Sequence, residues 1–476
     1  MTAQEAASER AAAPDVLIRA DNGDVITFDE TGLTLRLSDS VLADLRARLA
    51  TSMPQDPAEI LGDIDAWGLR TEAGWHRFTA ALEPGRYPRD YQCPVAGGDI
   101  IAHAPGALCA IFSLGGARRA GFNDVPTAFP YHVLAPADDV FAVGMEGSGK
   151  AGQTGGLQRI PHATRDALIA ETLLARRSAA GRGLPLILVR AETDGSVTLE
   201  ELRRGQAYAN FRVALDNLVA AAQSLGRRAR VLSVGIDHSL EDLCSPPSVI
   251  AAELRALMAQ IERDLLLRGL PRPVFIATFE AGTRTISDHA AIRAHWELAW
   301  SHGSHVFAFS APGYMFEQTR FGRPTGAARI RMAEMDAHAL DALSSRSAWQ
   351  CPLLLLAEAD GRQIRVTAQA LCDLVLDRDD PLGAGPLAGF SLAGTSARVV
   401  AVDLAPDDPQ ALILTCDRPP DAGAELRYAL GAPASADAFP ANRGALRDLW
   451  SGPSRAGGPL HRWALPAALP VQRGAA

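Results

Sequence analysis

No run of lysine and arginine, no closely paired cysteines and no long apolar stretch occurs in the 476 residues. Each of these gaps removes a class of function. With 46 basic residues against 55 acidic ones and a net charge of −9, there is no basic cluster through which counterion release could drive binding to nucleic acid or to an anionic membrane. No apolar window approaches the ~18 residues that a membrane span needs, so no membrane insertion is expected. The N-terminal stretch MTAQEAASERAAAPD lacks a basic start followed by an apolar segment; it does not read as a secretory signal, and synthesis in the cytoplasm is expected. The six cysteines, Cys93, Cys109, Cys244, Cys351, Cys372 and Cys416, are scattered with no C-x-x-C pair, which argues against zinc or redox chemistry and for burial as small apolar side chains. No metal and no cofactor is expected. What remains, 47% hydrophobic and 21% charged residues, is the composition of a soluble globular chain with apolar surface to spare for two or three domains.

The pattern changes three times along the chain. Residues 1–15 are Ala/Glu-rich and expected to be disordered. Residues 16–135 read as a β-rich N-terminal region: DVLIRA, GDVITF and LTLRL are strand signals separated by turns, CPVAGGDIIAHA and ALCAIFSLGG are further strands, and SDSVLADLRARLA is a helix candidate. Residues 136–348 alternate apolar strands (VFAV, PLILVRA, ARVLSVGI, PVFIATFEA, HVFAFSAP) with amphipathic helices. Continuous apolar strands joined by helices imply a doubly wound α/β domain, with a parallel sheet of about five strands and its ligand site at their C-terminal ends. Residues 349–476 return to strands and suggest an antiparallel β-sandwich with an aromatic tail, RGALRDLWSGPS…LHRWALPAALPV, packed on it.

The glycine-rich stretch VFAVGMEGSGKAGQTGG, residues 140–156, nearly spells a phosphate loop. Gly144, Gly149 and Lys150 fit G-x-x-x-x-G-K, but Ala151 carries no hydroxyl for a magnesium ion, and three more glycines and a proline precede any helix. The nucleotide reading fails on both counts.

In the order of its strand ends the α/β region resembles the SGNH (GDSL-like) hydrolases, in particular their sialate O-acetylesterase-like branch. Members open with a strand ending in G-[DQE]-S, carry a later glycine and an H-G-E-x-D element, and close with D-x-x-H before the last helix. The serine attacks an ester carbonyl and the histidine takes its proton. Set on that pattern, VGMEG puts Glu146 at the serine position, RAETDGSVTLEEL supplies Gly195, VGIDHSLED keeps His238 and Asp242, and APGYMFEQTRFGRPTG puts Arg320 and Arg323 at the aspartate and histidine positions. Neither glutamate nor permanently charged arginine can replace the serine or the base. The resemblance therefore implies a degenerate member. A relocated Ser148–His238 pair is the enzymatic alternative, an active carbohydrate O-acetylesterase.

Glu146, Arg320 and Arg323 are expected to converge, either as a salt bridge closing the old pocket or as a ligand site with Gly195, His238, Asp242 and Tyr314 for an acidic sugar. The three-part arrangement also resembles spike or fibre proteins of phage-like particles and gene transfer agents of alphaproteobacteria. That resemblance implies exposure on a released particle, cell-surface or capsular polysaccharide as ligand, virion structural proteins as partners of the N-terminal region, and a homo- or hetero-oligomer.

Overall fold

Strand β1 (Leu108–Gly115) explains most of the topology: seven of its eight residues are fully buried, which only a strand in the middle of a covered sheet requires. The computed structural model describes residues 15–19, 25–29, 32–39, 41–45, 60–83, 87–138, 140–239, 241–242 and 244–473. All but the last of the residues expected to be disordered lie outside these. The chain divides into two units, 1–98 and 99–476.

In the first unit the three leading strand signals form an antiparallel sheet, Asp15–Arg19, Val25–Asp29 and Gly32–Arg36. A second meander joins Ala66–Glu72, Trp75–Ala80 and Arg89–Pro94. Ala73 and Gly74 both take positive φ (52° and 81°) between its first two strands, the geometry whose twist suits a tight hairpin. The helix candidate is helical at Asp39 and 41–45; its remainder lies outside the described residues.

The second unit is built on a seven-stranded sheet. Beside β1 it contains β2 (Val133–Pro136), β3 (Leu157–Arg159), β4 (Ile187–Thr193), β5 (Ala229–Asp237), β6 (Val274–Phe279) and β7 (Phe307–Pro312). Their order is β3-β2-β4-β1-β5-β6-β7, parallel except for β3. Helices α1 (Arg165–Ala179), α2 (Leu199–Arg204), α3 (Gln206–Ser224), α4 (Pro247–Leu267), α5 (Ala290–Trp300) and α6 (Gly326–Ser344) connect and cover it. Alternation along β1 shows the two faces: Ile111 joins the core under α1 and α6, while Phe112 meets Phe211 of α3 edge to face. The expected α/β class holds.

Its boundaries do not. The α/β layer begins near residue 100, since ALCAIFSLGG, assigned above to the N-terminal β region, is the central strand β1. VFAV is not a strand; only Val143 bridges to Ala191 of β4, and Phe141 sits at φ 58°, incompatible with extension. Arg190 explains why: fully buried on β4, its guanidinium binds Asp138 and the carbonyl oxygen of Phe141 (2.6 Å), folding the segment across the strand end. The amphipathic segment TLEELRRGQAYANFRVALDNLVAAAQSLG reads as one long helix, yet it is cut in two at Gly205, which has extended backbone.

C-terminal strands form a seven-stranded and a three-stranded sheet. Pairing is antiparallel except between Leu353–Asp360 and the last strand, Ala467–Arg473. The aromatic tail does not lie on this region; it supplies three of its strands, from Leu446 onward. These sheets share one apolar core with α6 and with the segment after β7. Tyr314, a ligand candidate in the sequence, lies in that core with no exposure, donating its hydroxyl to Ala464 O (2.6 Å) beside the Tyr428 hydroxyl (3.2 Å). It cannot stack on a sugar. All six cysteines are free; Cys93, Cys351 and Cys416 are buried, as expected of small apolar groups, Cys109 and Cys372 are partly buried, and Cys244 is exposed.

Tyr314→Phe removes one buried hydrogen bond and leaves the Ala464 carbonyl unanswered. We expect a loss of about 1–2 kcal/mol in urea denaturation, with ligand retention unchanged.

Candidate functional site

After β1 the chain runs outward to β2, returns to β4 beside β1, and then crosses to β5 on β1's other side. The strand order reverses at β1, and in open α/β sheets that reversal opens a crevice at the carboxyl ends of the strands. The turn there is Gly115-Gly116-Ala117-Arg118-Arg119, closed by Arg119 N–H on Gly116 O (3.0 Å). At its tip is a methyl group. Ala117 faces Gly195, where an added Cβ would lie 3.0 Å from that of Ala117; the glycine allows the two loops to meet.

Beneath the turn lies a buried ionic network. Arg119 donates to Asp166 (2.7 Å) and Asp237 (2.8 Å); Arg165 holds Asp336 through two bonds of 2.8 Å and reaches Asp237 (3.0 Å) and Thr278 Oγ1 (2.7 Å). Gly235 of β5 makes room, because a Cβ there would lie 2.1 Å from Arg119 Nη2. Two cations face three carboxylates, so the environments separate. At Asp166 burial wins and raises the pKa, despite Arg119 and the Ser113 hydroxyl (2.6 Å). At Asp237 burial also opposes ionisation, but Arg165, Arg119 and the Thr278 N–H outweigh it and the pKa falls.

The cleft itself spans the ends of β5, β6 and β7 and is lined by Arg118, Ser239, Glu241, Glu280, Gln318 and Arg329 among others. It encloses about 40 Å³. Glu280, just after β6, is buried and accepts from Arg118 (3.0 Å), the Ser239 hydroxyl, and the N–H groups of Ala281 (3.0 Å) and Gly282 (2.6 Å). Burial would raise its pKa, but Arg118 and its other partners hold it below the usual range. A carboxylate so well supplied with donors is a poor base. His295 accepts the Glu280 N–H through Nδ1 (2.9 Å), and burial lowers its pKa to about 4. Glu241 lies over Gly116 and accepts the Ser239 N–H (3.1 Å).

Of the residues singled out in the sequence, Gly195 meets the turn of the central strand. His238 and Asp242 come close to it but face backbone: His238 Nε2 bonds Val197 O (3.0 Å), and Asp242 accepts from Leu199 N–H at the start of α2 (3.4 Å) and from Ser245 N–H (3.1 Å). Ser148 is exposed and bonds Met145 O within its own turn (2.5 Å). Glu146 is exposed at φ 49° on that turn. Arg320 and Arg323 are exposed on a hairpin at the cleft's rim, and no ion pair joins either to Glu146 among the described residues. The expected closing salt bridge is not formed.

Sequence reading missed the Gly-Gly-Ala-Arg-Arg turn, Glu280, Gln318 and Arg329. The signal for the first was present: a continuously apolar strand, ALCAIF, running into two glycines and two arginines. Arg329 carried none, since one arginine in a helix rich in charge does not announce which way it faces.

No family model matches the chain, and no curated protein matches it. Among solved structures, a carbohydrate acetylesterase from Xanthomonas citri is similar over 80% of this chain and 97% of its own, at 14% identity and a TM-score of 0.47. A protein from Arabidopsis thaliana is similar over 50% of this chain and 99% of its own, at 14% identity and a TM-score of 0.35. At such distances no side chain's role carries across.

Arg165→Met would take from Asp336 both of its hydrogen bonds to Arg165 and leave Asp237 with Arg119 as its one arginine partner. We expect a loss of about 3–5 kcal/mol by denaturation, the cost of breaking a buried pair from one side. His295, at 6.5 unfolded and about 4 folded, binds more protons in the unfolded chain between those values, so stability should fall as pH drops through that window. The decline, on the order of 3 kcal/mol, should flatten in His295→Gln when urea midpoints are compared at neutral and mildly acidic pH.

Proposed function

We propose that the second unit is an SGNH-like scaffold without the family's acyl-transfer chemistry, and that the protein binds cell-surface or capsular polysaccharide as a spike or fibre component of a released phage-like particle. Ala117 carries this reading. In the family pattern the first strand of the sheet ends Gly-x-Ser; β1 ends Gly115-Gly116-Ala117, with the pattern's later glycine, Gly195, packed against the alanine. A methyl group there can neither attack a carbonyl nor be activated by a base. This moves the vacated nucleophile position from Glu146 to Ala117.

The surrounding groups support the same reading. Ser239 donates to Glu280, whose charge is already neutralised by Arg118, so that hydroxyl has no base to activate it. His238 and His295 each engage backbone, and His289 caps α5 through Ala291 N–H (3.2 Å). The esterase alternative needs Ser148 near His238, whereas each bonds a different backbone carbonyl. On this proposal the first unit attaches to virion structural proteins, and the particle presents several copies.

Purified protein should hydrolyse p-nitrophenyl acetate and acetylated glycans no faster than a Ser148→Ala or Ser239→Ala variant, and should be retained on capsulated cells but not on capsule-free ones. Turnover lost in either variant would overturn the binding role.

A further inference from the structure

Two guanidinium groups in the cleft are not fully answered by the protein. Arg118 gives Nη1 to Glu280, but its Nη2, shielded from solvent, has no hydrogen-bond partner among the described residues. Glu280 meanwhile accepts from Ser239 and two backbone amides, so Arg118 is only one of four donors sharing that carboxylate. Arg329, from α6, bonds only neutral acceptors, Asn123 Oδ1 (2.8 Å) and Pro324 O (2.8 Å). Burial lowers its pKa with no carboxylate to offset it, although a guanidinium stays charged at any physiological pH. Both arginines line the same cleft.

A buried acceptor accompanies these donors. Gln318 lines the cleft, donates to Gly282 O (3.2 Å), and leaves its Oε1 without a partner among the described residues. Just beyond it the hairpin 318–324, closed by Thr319 N–H on Arg323 O (2.7 Å), holds Phe321 in the open. That ring is 74% exposed and lies against the Arg320 guanidinium, 4.7 Å from its centroid. Of the cleft's own carboxylates, Asp237 and Glu280 are bound by arginines, and Glu241 lies over Gly116 and accepts the Ser239 N–H. Arg329 thus lines the cleft with no carboxylate partner among the described residues.

The cleft is small, about 40 Å³, and a planar carboxylate is a more compact group to place in it than a sugar ring. We propose that the cleft receives the carboxylate of an acidic saccharide between Arg118 Nη2 and Arg329, with the sugar ring outside against Phe321 and a ring hydroxyl donating to Gln318 Oε1. A guanidinium fork suits that planar group, and an exposed aromatic suits a ring's apolar face. This rests on the polysaccharide-binding reading above and names the sugar chemistry.

The test is calorimetric titration of the full chain with tetrasaccharides of galacturonic and mannuronic acid and with their carboxyl-reduced counterparts. At least one acidic oligomer should bind, and its reduced form should bind roughly tenfold or more weakly. Arg329→Gln, which strands no buried carboxylate, should weaken the acidic oligomer roughly ten- to hundredfold while keeping a cooperative melt at a slightly lower midpoint, and Phe321→Ala should weaken it severalfold with unchanged melting. Equal binding of acidic and reduced oligomers would overturn the carboxylate site while leaving polysaccharide binding intact. Binding of none, or an Arg329→Gln variant as tight as wild type, would also overturn it; retention on capsulated cells then tells whether the broader reading falls too.

Discussion

Arg119 and Arg165 hold three carboxylates, and through them four elements that are far apart in the chain. Asp166 opens α1, Asp237 closes β5, Asp336 lies in the middle of α6, and Arg119 itself belongs to the turn after β1. Such a network contributes little net stability over a well-packed apolar substitute, because desolvation cancels most of the attraction. What it does is fix geometry: none of its members can move without stranding a charge. The floor of the cleft, the turn carrying Ala117 and the start of α1 are thereby locked to one another.

That rigidity shapes what the cleft can do. Catalysis by acyl transfer needs groups that change protonation at the right moment, and here the nearby groups are held against change. Glu280 is kept ionised by its donors, His295 is kept neutral by burial and by the amide it accepts, and Asp237 is kept ionised by two arginines. Recognition asks for the opposite quality, donors and acceptors already in place. Arg118 Nη2, Gln318 Oε1 and Arg329 have that character, each held by one or two bonds to the protein with further capacity toward the cleft.

The C-terminal sheets bear on the cleft through the segment after β7. Tyr314 is pinned to Ala464 O and Tyr428, Met332 and Met335 of α6 sit in the same core, and Gln318 accepts no freedom of its own because its N–H hydrogen-bonds Ala438 O (2.6 Å). An aromatic that looked like a sugar platform in the sequence is thus a bolt between two layers. Phe321, seven residues on, is the ring that stays outside.

Local pattern determined the elements. Period and apolar content located four of the parallel strands within two residues, and the helices apart from the break at Gly205, because a strand covered on both faces must be apolar throughout and a helix covered on one must alternate. It also put Gly195 just past a strand end; the placing of Glu146, Arg320 and Arg323 at the family's serine, aspartate and histidine positions was an expectation of the resemblance, and the three do not meet in an ion pair among the described residues. Only the tertiary structure decided which strand is central. VFAV and ALCAIF carry the same local signal, but Arg190 folds the first into a loop and the second pairs on both sides, a choice made by contacts more than forty residues distant in sequence. That choice puts Ala117, not Glu146, at the turn of the central strand, and the orientation of Arg118 and Arg329, set by packing rather than by spacing, is the feature of the site that no local pattern encodes.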